Sequence, residues 1–250
     1  MPSISIAYET KDGQNNQVVF ETDRTALHVN GIGVASIDLA PLSSCPRIHT
    51  VDLASNALSK IDLAPLSSCR KLERLFLGGN RLQTINLSPL STCPKLEVLE
   101  LSDNGLHSLD LTPLGQCTSL DTVDVSRNII QAVDLSPLGK CVGLKSIQLS
   151  DNQLKAIDLK PLSACPLLED LDLGNNQLQE LDLSPLSYCK ALRTLDLRRN
   201  KLHSLDLAPL RVCARLARLD FSDNNLQDLD LSQLSGLTEL KIVGHRRKRA

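Results

Sequence analysis

Three residue types recur along this chain at a single spacing of 24 residues, eight times each. Asn stands at Asn56, Asn80, Asn104, Asn128, Asn152, Asn176, Asn200 and Asn224. Cys stands at Cys45, Cys69, Cys93, Cys117, Cys141, Cys165, Cys189 and Cys213, which are all the cysteines present. Pro stands at Pro41, Pro65, Pro89, Pro113, Pro137, Pro161, Pro185 and Pro209. Such a chain repeats one small unit that cannot bury its own apolar residues, so successive units must stack. Composition agrees: 42% of residues are hydrophobic, yet only 2% are aromatic and Trp is absent. A core made mostly of Leu implies one packing arrangement used many times.

Each unit reads LxxLxLxxNxLxxLDLxPLxxCxx, as from Leu96 to Asn104. Alternation in the first part puts Leu99 and Leu101 inward and Val98, Glu100 and Ser102 outward. Stacked units then form parallel strands about 4.8 Å apart. The Asn residues sit where the chain leaves the strand, and an amide offers both a donor and an acceptor to bridge successive coils. This pattern resembles the leucine-rich-repeat family, over roughly residues 27 to 242, and among its subclasses the short intracellular kind. The PLxxC segment departs from that subclass. The resemblance implies an α/β fold: a right-handed solenoid, horseshoe or arc, with about ten parallel strands on the concave face and short 3₁₀ or α turns on the convex face.

The second part of each unit alternates again. Leu58 to Leu63 reads as a short extended segment with Asp62 facing out. Ser or Thr then precedes Pro at Ser88, Thr112, Ser136 and Ser184, which predicts an N-cap, a proline at the first helical position and a helical turn ending near the Cys. Residues 1–26 are expected to form a β-hairpin cap, with Ile4, Ile6, Tyr8 and Val19 alternating around Lys11–Gln14. Residues 27–242 make the solenoid, whose last unit is shortened and ends on a strand containing Leu240 and Ile242. Residues 243–250 form a basic tail.

The eight cysteines occupy one equivalent position with parallel side-chain vectors, a geometry that disfavours disulfides, and no CxxC pair offers a zinc site. They read as buried, reduced thiols packing as small apolar groups. A second column, Asp38, Asp62, Asp110, Asp134, Asp158, Asp182, Asp206 and Asp230, is broken only by Asn86. Its two readings are carboxylates accepting backbone N–H groups and a calcium-binding ladder; Asn86 and the missing Gly-rich signature favour the first. The five His residues do not follow the period, and neither GxSxG, a P-loop nor HExxH occurs, so no catalysis, metal or cofactor is expected.

Function is sought in the outward strand positions, where the units differ. They read Asp52, Phe76, Glu100, Asp124, Gln148, Asp172, Asp196 and Asp220, with Arg74, Arg198 and Arg199 alongside. Packing alone gives no evident reason for acids there; the two readings are a partner-binding face and a solvated one. As a binding face it would receive another protein, through a basic or mixed-charge segment, with Phe76 and Arg74 as the anchor. The chain would then be a non-catalytic interaction module, or else a regulatory subunit of an enzyme or the sensor region of a larger signalling or transcription protein. A net charge of −2 makes nucleic acid an unfavoured partner. No stretch long enough to span a membrane and no leader-like start is visible. With reduced thiols these features lead to an intracellular expectation, cytoplasmic, or nuclear if the run His245–Arg249 is an import signal.

Overall fold

The computed structural model describes residues 3–227 and 229–244. Ten short strands, all paired in parallel, make one sheet in chain order. They are β3 (Ala26–His28), β5 (Thr50–Asp52), β6 (Arg74–Phe76), β7 (Val98–Glu100), β8 (Thr122–Asp124), β9 (Ser146–Gln148), β10 (Asp170–Asp172), β11 (Thr194–Asp196), β12 (Arg218–Asp220) and β13 (Lys241–Val243). The pairing register advances by one unit per strand, so Leu99 faces Leu75 on one side and Val123 on the other. Equivalent residues of neighbouring coils therefore form columns. β1 (Ser3–Thr10) and β2 (Asn15–Glu21) pair antiparallel, and β1 also pairs with β4 (Val34–Ile37). Ile6, Phe20 and Val34 from these strands join the same core as the leucine columns.

Inside the coils the Leu columns and all eight Cys are buried. A 3₁₀ turn of five residues ends just before each Cys, as at Ser88–Thr92 and Ser184–Tyr188. The chain then turns at an exposed tip and re-enters the sheet.

Two local expectations are corrected. The Ser or Thr before each Pro is not the N-cap. That position falls to a Leu already in the right-handed helical region, such as Leu87 (φ −87°, ψ −1°), whose side chain makes no capping bond. The capping group is instead the carboxylate two residues before the turn: Asp134 Oδ1 accepts the N–H of Ser136 at 2.8 Å. The segment before each turn, as at Leu58–Leu63, forms no strand: it meets the next coil through isolated backbone bonds, such as Arg81 N–H to Leu58 O at 2.8 Å, not through a ladder. Its second apolar residue, such as Ile61, is only half buried against the core.

Candidate protein-binding face

The Asn residues tie the coils together and so hold the face flat in register. Asn152 Nδ2 donates to Val125 O in the preceding coil at 3.0 Å and to Leu149 O in its own at 3.2 Å. Its Oδ1 accepts the N–H of Ile130 at 3.0 Å. The same arrangement recurs at Asn56, Asn80, Asn104, Asn128, Asn176, Asn200 and Asn224. Just before each Asn the chain takes a left-handed conformation, with φ between 51° and 57° at seven coils and 65° at Gly79. Asn and Asp tolerate that region, and five of the eight coils use Asp, Asn or Gly there. Arg127 and Arg199 occupy it too, at 54° and 53°. The backbone does not favour arginine there.

On the outward face the acidic column has a local role that alternation did not reveal. One oxygen of each Asp accepts the N–H of the residue two places on, where the chain bends out of the sheet. Ala54 donates to Asp52, Ser126 to Asp124, Gly174 to Asp172, Arg198 to Asp196 and Ser222 to Asp220, at 2.9–3.1 Å. Phe76 cannot do this, and Glu100 replaces it from the next coil. Its Oε2 accepts the N–H of Gly78 at 2.9 Å, while Oε1 accepts from the N–H and hydroxyl of Ser102. Position 78 has to be glycine for this, since a Cβ there would lie 2.2 Å from Oε1. The signal was in the sequence: the coil with the aromatic has Gly two residues later and the longer acid in the following coil.

The second carboxylate oxygens point outward. Those of Asp52, Asp196 and Asp220 meet His28 (3.6 Å), Arg198 (3.3 Å) and Arg218 (2.8 Å). Among the described residues, no cation lies within ion-pair distance of the Asp124 or Asp172 carboxylate. Thr122, Ser126, Ser146, Ser150 and Gly174 at the flanking positions are short, and Gln148 stands between the two acids in the column. Arg74 lies exposed beside half-buried Phe76 and reaches Glu97 at 3.6 Å. Arg199 pairs with Asp223 at 3.5 Å on the flank. Asp196 and Asp220 are themselves buried at their coils, and burial, with Asp172 and Asp220 nearby, pushes the Asp196 carboxyl above its usual range.

The cap column behaves differently. Its carboxylates are exposed, and each accepts the N–H two residues on at 2.8–3.0 Å. Asn86 makes the same bond to Ser88 at 2.9 Å without a charge. The hydroxyls and N–H groups of Thr112, Ser136, Ser184 and Ser232 hold Asp110, Asp134, Asp182 and Asp230 below the usual carboxylate range.

Opposite the sheet the cysteines are all free. Each thiol from Cys69 onward faces the carbonyl of a Leu in the preceding coil, as Cys117 does Leu90 at 3.3 Å. Burial pushes the Cys69, Cys117 and Cys189 thiols up to about 12, which leaves no thiolate to act as nucleophile or ligand at neutral pH.

Comparison with known proteins places this geometry. Models described as "Leucine rich repeat" and "Leucine Rich repeats (2 copies)" match residues 46–106 and 118–178, and 166–211, more than half of the chain together. The chain belongs to the leucine-rich-repeat family. Such repeat proteins are typically non-catalytic interaction modules. Among solved structures, a leucine-rich-repeat protein of Leptospira interrogans superposes with a TM-score of 0.78 at 22% identity, over 89% of this chain and 55% of that one. The plant peptide hormone receptor RGFR1, in complex with RGF2, superposes at 0.74 with 26% identity, over 82% of this chain and 33% of the receptor. The functional domain of InlJ from Listeria monocytogenes, which includes a cysteine ladder, gives 0.53 at 21% identity, over 88% of this chain and 53% of that one. This leucine-rich-repeat chain thus spans about half or less of the length of these proteins. No curated protein matches it in sequence. No helix among its described residues is long and apolar enough to cross a membrane.

Proposed function

We propose that this leucine-rich-repeat chain is a non-catalytic protein-interaction module that receives a basic or mixed-charge segment of another protein across the outward face of its sheet. One observation carries the reading. The N–H bond made by the strand-end acids needs only an oxygen, and Asn86 shows that this chain uses a neutral amide for the equivalent bond elsewhere. Yet the strand-end column is acidic at Asp52, Asp124, Asp172, Asp196 and Asp220, with one neutral amide at Gln148, and stays acidic even where burial disfavours the charge at Asp196. At Asp124 and Asp172, among the described residues, no cation pairs with the carboxylate, and an opposite charge on a partner would use it.

The face divides into working parts. Asp124 and Asp172, with short side chains around them, are the open acceptors for Arg or Lys. Arg198 and Arg199 beside Asp196 and Asp220 suit acids of a mixed-charge segment. Phe76 and Arg74 supply the anchor at the other end, since aromatic and Arg side chains dominate binding energy in interfaces. Glu100 is a positioning residue, with both oxygens engaged by the backbone. The receptor complexed with RGF2 supports binding on this fold, though not the charge of the bound segment. Eight buried free thiols support a reducing, intracellular setting, which a count of eight sulfhydryls in native protein denatured without reductant would bear out.

The binding test is fluorescence anisotropy with an extended peptide alternating Arg and Ser. Wild type should bind in a salt-dependent manner. Asp124→Asn with Asp172→Asn, which keeps the backbone bonds, should weaken binding about tenfold. Equal affinity for both proteins would remove the strand face from the function.

A further inference from the structure

The 3₁₀ turns and the tips after them, opposite the acidic face, are segregated in charge. From the residue before each Pro to the second residue after each Cys, none of the eight copies contains Asp or Glu, in a chain whose acids outnumber its bases. The same segments hold nine Lys and Arg, among them Arg47, Arg70, Lys71 and Lys95 in the first three coils and Arg211 and Arg215 in the eighth. All nine are exposed, and none lies within ion-pair distance of a carboxylate among the described residues. Arg47, Lys71 and Lys95 share one repeat position, so they stack one strand spacing apart. The carbonyl ends of the turns favour cations over acids there. Every coil but the fourth carries at least one of the nine.

Exposed apolar side chains join the cations in the last four coils. Of the six large apolar residues left exposed among the described residues, Val142, Leu167, Tyr188 and Val212 lie on this strip, with Tyr188 at 62%. Tyr188 and Val212 occupy the place before the Cys in adjacent coils, where the first four coils have Ser44, Ser68, Thr92 and Gln116. The repeat itself does not require an apolar residue there. Beside Val212, a shallow depression of about 320 Å³ opens between the turns of coils seven and eight, lined by Ser184, Ser187, Pro209 and Arg211, with Asp206 of the cap column at its edge.

We propose that this strip is a second interaction surface, independent of the strand face, which receives an extended acidic protein segment bearing apolar side chains, laid across the coils. The strip runs over seven coil spacings, about 34 Å, the reach of about ten extended residues. Its width decides the class of partner. On one side runs the exposed cap column, including Asp134, Asp158 and Asp182; on the other the row is mixed, with Glu73, Glu97, Asp121 and Glu169 paired to His49, Arg74, Lys145 and Arg193. A planar anionic membrane pressed on the strip would meet the exposed carboxylates of the cap column, whereas one extended chain can run beside them. Like-charge contacts of that kind oppose binding. With the strand face engaged as well, one copy would bridge two partners of opposite charge.

The test uses a peptide alternating Glu and Leu and, separately, vesicles of equal parts phosphatidylserine and phosphatidylcholine. Wild type should bind the peptide in a salt-dependent manner. Arg47→Glu, Lys71→Glu and Lys95→Glu together should weaken that binding at least about tenfold, and the corresponding Gln variant by less, with unchanged circular dichroism. Leu167→Ser with Tyr188→Ser should weaken it about fivefold. The strand-face variant Asp124→Asn/Asp172→Asn should bind the peptide as wild type does. Equal binding by wild type and both charge variants, or loss in the strand-face variant alone, would overturn the proposal. So would vesicle binding tighter than peptide binding and abolished by the charge reversal, which would make the strip a membrane surface.

Discussion

Two columns of acids run the length of this solenoid and do the same local work. In both, one carboxylate oxygen accepts the N–H of the residue two places on, where the chain leaves a regular element. Their surroundings differ. In the cap column the hydroxyls and N–H groups at the start of a 3₁₀ turn favour the ionised form and lower the carboxyl pKa. In the strand-end column, burial and neighbouring acids act against the charge at Asp196. The fold gains from charge at Asp110, Asp134, Asp182 and Asp230 and bears a cost for it at Asp196. On the proposed reading, the charges at Asp124 and Asp172 serve a partner.

The largest expected effect sets the scale for both columns. Asn152→Ala leaves a buried N–H and two or three buried carbonyls without their partner, not one exposed N–H. Unfolding by denaturant should show a loss of about 3–5 kcal/mol. A loss under about 1 kcal/mol would mean that the coils are held by leucine packing alone. Next comes the paired swap that separates the columns. Asp124→Asn/Asp172→Asn should cost about tenfold in affinity for the Arg/Ser peptide and leave Tm unchanged, whereas Asp134→Asn/Asp158→Asn should leave affinity unchanged. Equal losses from the two pairs would erase the distinction.

Smaller effects follow from pH. Asp110, Asp134, Asp182 and Asp230 have lowered pKa values in the folded state, so their stabilisation is present above the unfolded carboxyl pKa and is lost as pH falls through the folded one. Asp110→Asn/Asp134→Asn should therefore flatten the fall in Tm below about pH 4. Asp196 has the opposite sign. Its raised folded pKa makes its contribution largest at low pH, and that contribution is lost as pH rises through the folded value. Asp196→Asn retains the bond to the Arg198 N–H and should raise Tm by about 1–2 °C at neutral pH, converging with wild type in acid. A lower Tm at neutral pH would show that the Arg198 ion pair outweighs the burial.

The stack was legible because period and alternation together dictate it. Leu99 and Leu101 can only be buried by the coils on either side, and an Asn at a fixed register has buried backbone groups to satisfy. The cap was misplaced by two residues. Ser88 and its equivalents look like N-caps beside Pro, but the turn begins on the Ser itself and the capping oxygen belongs to the Asn86 and Asp134 column. Asn86 was the visible clue that this column serves the backbone. The bond made by the strand-end acids was not legible. It depends on the bend after each strand, which side-chain alternation does not encode. Only the set of Phe76, Gly78 and Glu100 hinted at it, through a bond that crosses between coils. The basic run His245–Arg249 lies outside the described residues.

Thermal unfolding of two proteins, each with and without the Arg/Ser peptide at about a hundred times its Kd for wild type, tests the distinction most directly. Wild type and Asp124→Asn/Asp172→Asn should melt together when alone. Saturating peptide should then raise the wild-type Tm by about 5 °C or more and move the variant much less. A variant that melts well below wild type without peptide, or that gains as much from it, would contradict the claim that these charges are held for a partner.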